Sequence, residues 1–263
     1  MLAPYRGVAQ VLGRRIRRRL LWVFLSFGIG AASTWYLREE VFTFLLAPAG
    51  GKLSPFNGLP VYTSPTTMMG ATIQLSIKGG MLAAFPVFVV SLYTLLSPII
   101  APPQRKFIKI FLPATVLCFF AGGTFAYFVM LPTGLKFLLS FGDGVAVPLI
   151  NLTEYVSLLL SMMFWLGVVF ELPVAMFLLT KLRVVSYLRL RRVRKFVPVM
   201  AFILSAILTP TFDMINQTLL AVPIIVLYEV GLFLSWLARP DEGDYWYIKK
   251  VWRTLTWPYR KLR

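Results

Sequence analysis

Six apolar stretches divide this chain, and nearly all of them approach or exceed the length needed to cross a bilayer. They run Leu20–Leu37, Thr72–Leu96, Phe107–Leu131, Tyr155–Leu179, Phe196–Leu208 and Thr218–Leu237. A hydrocarbon core is about 30 Å thick and takes roughly 20 helical residues to span. Of the 263 residues, 58% are hydrophobic, against about 45–50% in ordinary soluble domains. One soluble core cannot hide that much apolar surface, so lipid is the expected solvent. The fold class that follows is an all-α membrane protein with six transmembrane helices. The fifth stretch is short, and with its neighbour it should thin the bilayer locally. Pro86, Pro173 and Pro223 fall inside stretches and should kink them, with neighbouring helices satisfying the freed carbonyls.

Charge orients the spans. Twenty-three of the 27 lysines and arginines lie in the N-tail, the second-to-third loop, the fourth-to-fifth loop and the C-tail. The opposite side carries Arg38, Lys52 and Lys136, and Lys78 sits within the second span. Positive loops stay inside, so both termini are expected in the cytoplasm and the chain in the cell inner membrane. Three regions result: a basic cytoplasmic N-tail over residues 1–19, a six-helix domain over 20–237 and a basic, aromatic cytoplasmic C-tail over 238–263. As a helix, the tail would put Ile248, Val251, Trp252 and Leu255 on one face and Lys249, Lys250 and Arg253 on another, which suits the headgroup layer. The net charge of +17 raises a nucleic-acid partner, but its confinement to short loops between apolar spans points to topology signals and membrane lipids instead. Arg14–Arg19 followed by an apolar run resembles a cleavable signal peptide. The run continues through Trp35-Tyr36-Leu37 and five more spans follow, which favours an uncleaved first span. Arg38–Ala71 is long and rich in Pro, Gly and Ser and should form a structured cap, whereas Thr209–Asp213 reads as a tight turn.

Chemistry-bearing residues are few. There is no histidine and a single cysteine, Cys118, so an internal disulfide and the commonest general base and metal ligand are excluded. No phosphate loop and no acid pair at catalytic spacing occurs, so no enzyme and no cofactor is expected. Gly79-Gly80 and Gly122-Gly123 read as close helix contacts. Glu171 and Glu229 lie within spans; a charge at mid-membrane costs at least about 2.5 kcal/mol, which makes each a functional candidate, with helix packing by a protonated carboxyl as the plainer role.

Four segments, in order, resemble the TatC family of twin-arginine protein translocases. Ala121–Pro132 reads AGGTFAYFVMLP and is similar to the third-span signature. Phe170-Glu171-Leu172-Pro173-Val174-Ala175 resembles the fourth-span motif. Leu208-Thr209-Pro210, Asp213 and Asn216–Pro223 resemble the fifth-to-sixth hairpin, and Tyr228-Glu229-Val230-Gly231 the end of the pattern. The resemblance covers roughly Leu20 to Trp236. It implies a glove-shaped bundle that binds signal peptides of folded cargo, self-associates, and works with single-span partners of the TatA and TatB types on the proton-motive force. Carried over residue by residue, Arg15, Arg17, Gln104 and Arg105 fall on the signal-peptide recognition surface. Tyr127, Glu171, Thr209 and Gln217 fall on a polar cluster for partner helices. The family's two recognition glutamates fall here on Arg15 and Gln104. An arginine there repels a twin-arginine signal where a glutamate attracts it. Two readings stay open: a translocase core, or a divergent scaffold of the same shape without its own cargo recognition. A third, an ion-coupled solute transporter using Glu171, finds no internal repeat to support it.

Overall fold

A computed structural model describes residues 3–49, 64–96, 102–140, 151–208 and 214–238, with the backbone alone described at 3–15, 49, 65, 96, 102–111, 138–139 and 215–216. Among the described residues the regular structure is helical. Helix α1 (Ala3–Tyr36) turns through 80° into α2 (Arg38–Leu46). Then come α3 (Pro65–Leu96) and α4 (Pro102–Phe125), and α4 continues through a π-helical turn, Ala126–Met130, into α5 (Leu131–Ser140). Helices α6 (Leu152–Phe170) and α7 (Leu172–Lys181) form one interrupted span. They are followed by α8 (Tyr187–Val193), α9 (Val197–Leu208) and α10 (Met214–Leu237).

Among the described residues, four spans are long and apolar enough to cross a membrane: Thr66–Leu95, Leu112–Phe137, Leu152–Lys181 and Gln217–Leu237. The bent pair Ile16–Tyr36 and Arg38–Leu46 makes a fifth candidate. These are longer than the apolar stretches suggested, because each helix runs past its apolar run into the polar flanks. The basic N-tail is no separate segment: α1 passes through Arg17, Arg18 and Arg19 without a break. Helix α9 has 12 residues, about 18 Å of rise, so it crosses only a thinned bilayer or part of one. The cap expected over Arg38–Ala71 is present in part, as α2 and a 3-10 turn, Ala47–Ala49. The turn at Thr209–Asp213, the segment 141–150 and the tail beyond Ala238 lie outside the described residues.

Close contacts set the helix directions. Gly80 meets Phe27 and Ala31, and Gly79 meets Thr34, so α1 and α3 run antiparallel. Thr153 Oγ1 donates to the Thr67 carbonyl at 3.0 Å, and Lys78 Nζ reaches Ser157 and Ser161, so α3 and α6 run parallel. Gly122 lies against Leu166 and Gly167, and Gly123 faces Met163, so α4 opposes α6. This threading brings the basic start of α1 and the arginines of α8 to one end of the bundle, with α2 at the other.

Helix α6 is the axle of the fold. On one side Tyr155, Val156 and Leu159 join Phe42, Leu45, Leu75 and Leu131 in a first core. On the other, Met162, Leu166 and Val169 join Met130, Ala201, Leu220 and Ile224 in a second. Serines and threonines inside spans return their hydroxyls to the carbonyl one turn back, as Thr72 does to Met68 and Ser76 to Thr72. That satisfies a polar group which lipid cannot.

Candidate partner-binding and recognition surfaces

Glu171 occupies the one-residue break between α6 and α7. Its N–H donates to the Val168 carbonyl at 3.1 Å, one residue short of the α-helical register. Pro173, two residues on, has no N–H to continue the ladder, which is why the helix yields here. The carboxyl is left over: Oε1 is buried without a hydrogen-bond partner among the described residues. Just beyond, Gly231 of α10 sits so close to Pro173 and Met176 that a Cβ there would meet Met176 Sδ at 2.6 Å. The break is therefore clamped rather than loose.

Tyr127 does different work at a different depth. Its ring stacks on Phe44 with centroids 4.5 Å apart, and its hydroxyl donates to the Phe44 carbonyl at 2.5 Å. Tyr155, 1% exposed, donates to the Leu45 carbonyl at 2.8 Å. The last carbonyls of a helix lack the usual partner one turn on; the Phe44 carbonyl also accepts from the Ala47 N–H, and the two tyrosine hydroxyls bolt this end of α2 onto the bundle. The π turn at Ala126–Met130 brings Ala126, Tyr127 and Met130 all into the core. Such turns cluster at functional positions, and nothing in the sequence pattern distinguishes this one from ordinary helix.

Gln217 donates from Nε2 to the Phe202 carbonyl at 2.8 Å, tying α10 to α9. The expected cluster of Tyr127, Glu171, Thr209 and Gln217 does not close up within this chain. Phe119 packs on Gly167; Glu171 is four residues from that level and Tyr127 eight the other way, about 18 Å apart along the axis. The same count through Gly231 and Pro173 puts Gln217 about 18 Å from Glu171. Thr209 lies outside the described residues. The resemblance grouped these residues, whereas depth in the bundle separates Glu171 from Tyr127 and Gln217.

Glu229 needs a correction too. It is not an unpaired acid. Arg194 Nε donates to its Oε1 at 2.6 Å, with both side chains well exposed, at 57% and 40%. Helix α10 runs on to Leu237, and the ion pair with the basic segment puts Glu229 near the arginine-rich end. Lys78 went the other way. Its Nζ donates to the Ser157 carbonyl at 2.8 Å, Ser157 Oγ at 2.7 Å and Ser161 Oγ at 2.8 Å. Its acceptors lie 79 and 83 residues along the chain, so spacing along the sequence gives no sign of them. Of the residues expected at a recognition surface, Arg17 is exposed on α1, while Arg15, Gln104 and Arg105 have helical backbones in α1 and α4 with side chains outside the described set.

The arrangement defines a polytopic helical membrane protein: two cores on one axle, a helical cap at one end and a cationic rim at the other. The description of the TatC family, Sec-independent protein translocase protein (TatC), matches residues 13–223, so the chain belongs to that family. It is 33% identical over 235 residues to the Sec-independent protein translocase protein TatC of Aquifex aeolicus, covering 88% of this chain and 95% of that one. It is 35% identical over 182 residues to the protein of the same description from Carboxydothermus hydrogenoformans, covering 69% and 75%. A crystal structure of the twin-arginine translocase receptor TatC superposes with a TM-score of 0.75 at 31% identity, covering 86% of this chain and 99% of that one.

Proposed function

We propose that this chain is the core subunit of a twin-arginine translocase. In this reading it binds signal peptides of folded cargo and gathers single-span partners of the TatA and TatB types for export driven by the proton-motive force. It sits in the cell inner membrane with the arginine-rich end, and both termini, in the cytoplasm. The observation that carries the reading is the match to a solved translocase receptor along almost its whole length. Two features of the chain itself support it. A carboxylate oxygen buried at a helix break with no partner among the described residues has nothing to bond in lipid, so Glu171 suits a polar group on a partner span. Helix α9 turns much of its surface outward, with Val199, Met200, Phe202, Ile203 and Ile207 exposed, and Gln217 at its flank; an apolar partner helix covers such a face. The two contacts lie at different depths and form two docking points, not one cluster. The test is export of a folded reporter carrying a twin-arginine signal, in cells whose own core subunit is deleted. Supplying this chain with its single-span partners restores export; no restoration, with the protein inserted and stable, overturns the proposal.

A second reading rests on the resemblance, which puts the family's two recognition glutamates on Arg15 and Gln104. It makes the chain a scaffold of the same shape with cargo recognition altered or lost. On this reading, purified protein cross-links weakly to a twin-arginine signal peptide, and Arg15→Glu with Gln104→Glu raises binding. The gain is about 1.5–3 kcal/mol per well-formed charged hydrogen bond, and less where the pair is exposed. Strong, arginine-dependent cross-linking to the unaltered chain removes this reading and leaves the first.

A further inference from the structure

At the arginine-rich end, α8 and the start of α9 wrap a cavity of about 380 Å³ against α10. Four cationic side chains line it, Arg191, Arg192, Arg194 and Lys195, against one carboxylate, Glu229. The wall is held in place at two points. Tyr228 donates to the Leu190 carbonyl at 2.8 Å, and Arg194 pairs with Glu229 at 2.6 Å. Ser186 caps α8 by accepting from the Arg189 N–H. Glu229 is thereby used on Arg194, and the surplus of positive charge falls on Arg191, Arg192 and Lys195.

A second cavity adjoins it at Pro198. Pro198 lines both it and an apolar groove of about 630 Å³ running along α9, past Ile203 and Ile207, to Gln217. A cationic cup at the level of the helix ends, beside an apolar trough along a span, matches a molecule with an anionic head and a hydrocarbon tail. We propose that this groove is a binding site for one anionic phospholipid, its phosphodiester held by Arg191, Arg192 and Lys195 and an acyl chain laid along α9. Basic pockets between spans take anionic headgroups for this reason, and arginine offers phosphate oxygens paired donors. The site rests only on the chain lying in a membrane and is independent of whether it recognises cargo. The trough shares Val199, Phe202, Ile203, Ile207 and Gln217 with the α9 face proposed above for partner helices, so the acyl chain occupies that face while no partner helix is docked.

The test uses the full-length protein, purified in detergent and stripped of lipid. It is then offered phosphatidylglycerol, phosphatidylcholine or inorganic phosphate, with bound ligand read by native mass spectrometry. Phosphatidylglycerol is retained over phosphatidylcholine. Arg191→Gln and Arg192→Gln each lower its affinity, roughly fivefold per arginine removed. Arg18→Gln with Arg19→Gln, which removes equal charge from α1, leaves it unchanged. Ile203→Trp, which fills the trough, weakens lipid binding and spares inorganic phosphate. Both arginines and Ile203 are exposed, so the variants fold; matched melting temperatures without lipid verify it. Equal loss in the α1 variant means diffuse attraction, and equal retention of phosphatidylcholine means no headgroup selection. Binding of inorganic phosphate as tight as that of the lipid means a free-anion site. Each of these three results overturns the proposal.

Discussion

Lys78 and Glu171 are both ionisable residues in apolar spans, yet the structure treats them in opposite ways. Three acceptors from α6 surround Lys78 Nζ, whereas Glu171 Oε1 has none among the described residues. A group already satisfied within the chain has little to offer a partner, so Lys78 joins α3 to α6 and Glu171 remains the candidate for docking. Removing the two hydroxyl acceptors while keeping the donor should hurt more than removing all three side-chain groups, since the ammonium then keeps only the Ser157 carbonyl and an under-satisfied polar group in a low-dielectric interior is the expensive state. Ser157→Ala with Ser161→Ala should therefore lower stability by about 1–3 kcal/mol, and Lys78→Met added on top should recover part of it. Thermal unfolding in one detergent reads both; if the triple variant is no more stable than the double, the clamp is incidental to packing. For Glu171 the readout is recovery of a single-span partner. Glu171→Ala should leave a folded, inserted protein that co-purifies with less of it, and Glu171→Gln should keep part, because an amide still donates and accepts. Full recovery and full export with Glu171→Ala would make the carboxyl a packing residue. Glu171 was legible in the sequence because a charged residue stands out in an apolar run. Lys78 and Tyr155 were not, because their acceptors are carbonyls and hydroxyls brought near only by the fold.

Among the elements, what separates this bundle from a loose set of spans is how closely four of its glycines let backbones approach. A Cβ on Gly122 would lie 2.5 Å from the Leu166 carbonyl oxygen and 2.7 Å from Gly167 Cα, both backbone atoms that cannot step aside. Gly80 against Phe27, Gly30 against Gly80 and Ala83, and Gly231 against Pro173 repeat the pattern at other crossings. Without water to drive helices together, such close packing supplies much of their attraction in lipid. Gly122→Ala should force α4 from α6 and cost about 1–3 kcal/mol, the usual range for overpacking. Gly28, whose added Cβ meets nothing within 4 Å, supplies the matched control: Gly28→Ala should be neutral or slightly stabilising, since alanine favours helix. Equal melting temperatures for the two variants would show that the α4–α6 contact yields freely. The paired glycines could be read as contact sites from composition alone. The partners could not, nor could the π turn after Phe125. The kink expected at Pro173 is present as the break at Glu171, but Pro86, Pro113 and Pro223 lie inside unbroken helices, so a proline alone does not say which span is interrupted.

For the molecule as a whole, the helix directions fixed by contacts and the side preference fixed by lysine and arginine counts are independent facts, and they agree. Antiparallel α1 and α3, parallel α3 and α6 and antiparallel α4 and α6 bring Arg17, Arg18 and Arg19 to the same end as the arginines of α8. Nothing in packing requires that; a bundle with its basic segments split between both ends packs equally well. Insertion does require it, because short loops rich in lysine and arginine resist crossing. The global arrangement was therefore legible in the sequence through charge alone, even though helix ends were displaced and α9 is too short to cross an ordinary bilayer unaided. The orientation can be tested on a background with Cys118→Ser, which removes the native thiol. Glu40→Cys on α2 and Val184→Cys between α7 and α8 both place the new thiol at exposed positions, at opposite ends of the bundle. A membrane-impermeant maleimide added to intact cells should label Glu40→Cys and leave Val184→Cys untouched until the membrane is permeabilised. Labelling of Val184→Cys in intact cells would reverse the bundle, exposing the cationic rim and the proposed lipid cup to the outside. Labelling of neither in intact cells, with both reacting after permeabilisation, would put α2 on the same side as α8, which the 80° bend after Tyr36 allows only if α1 does not cross. The two thiols thus test both the direction of the bundle and whether its first helix is a true span.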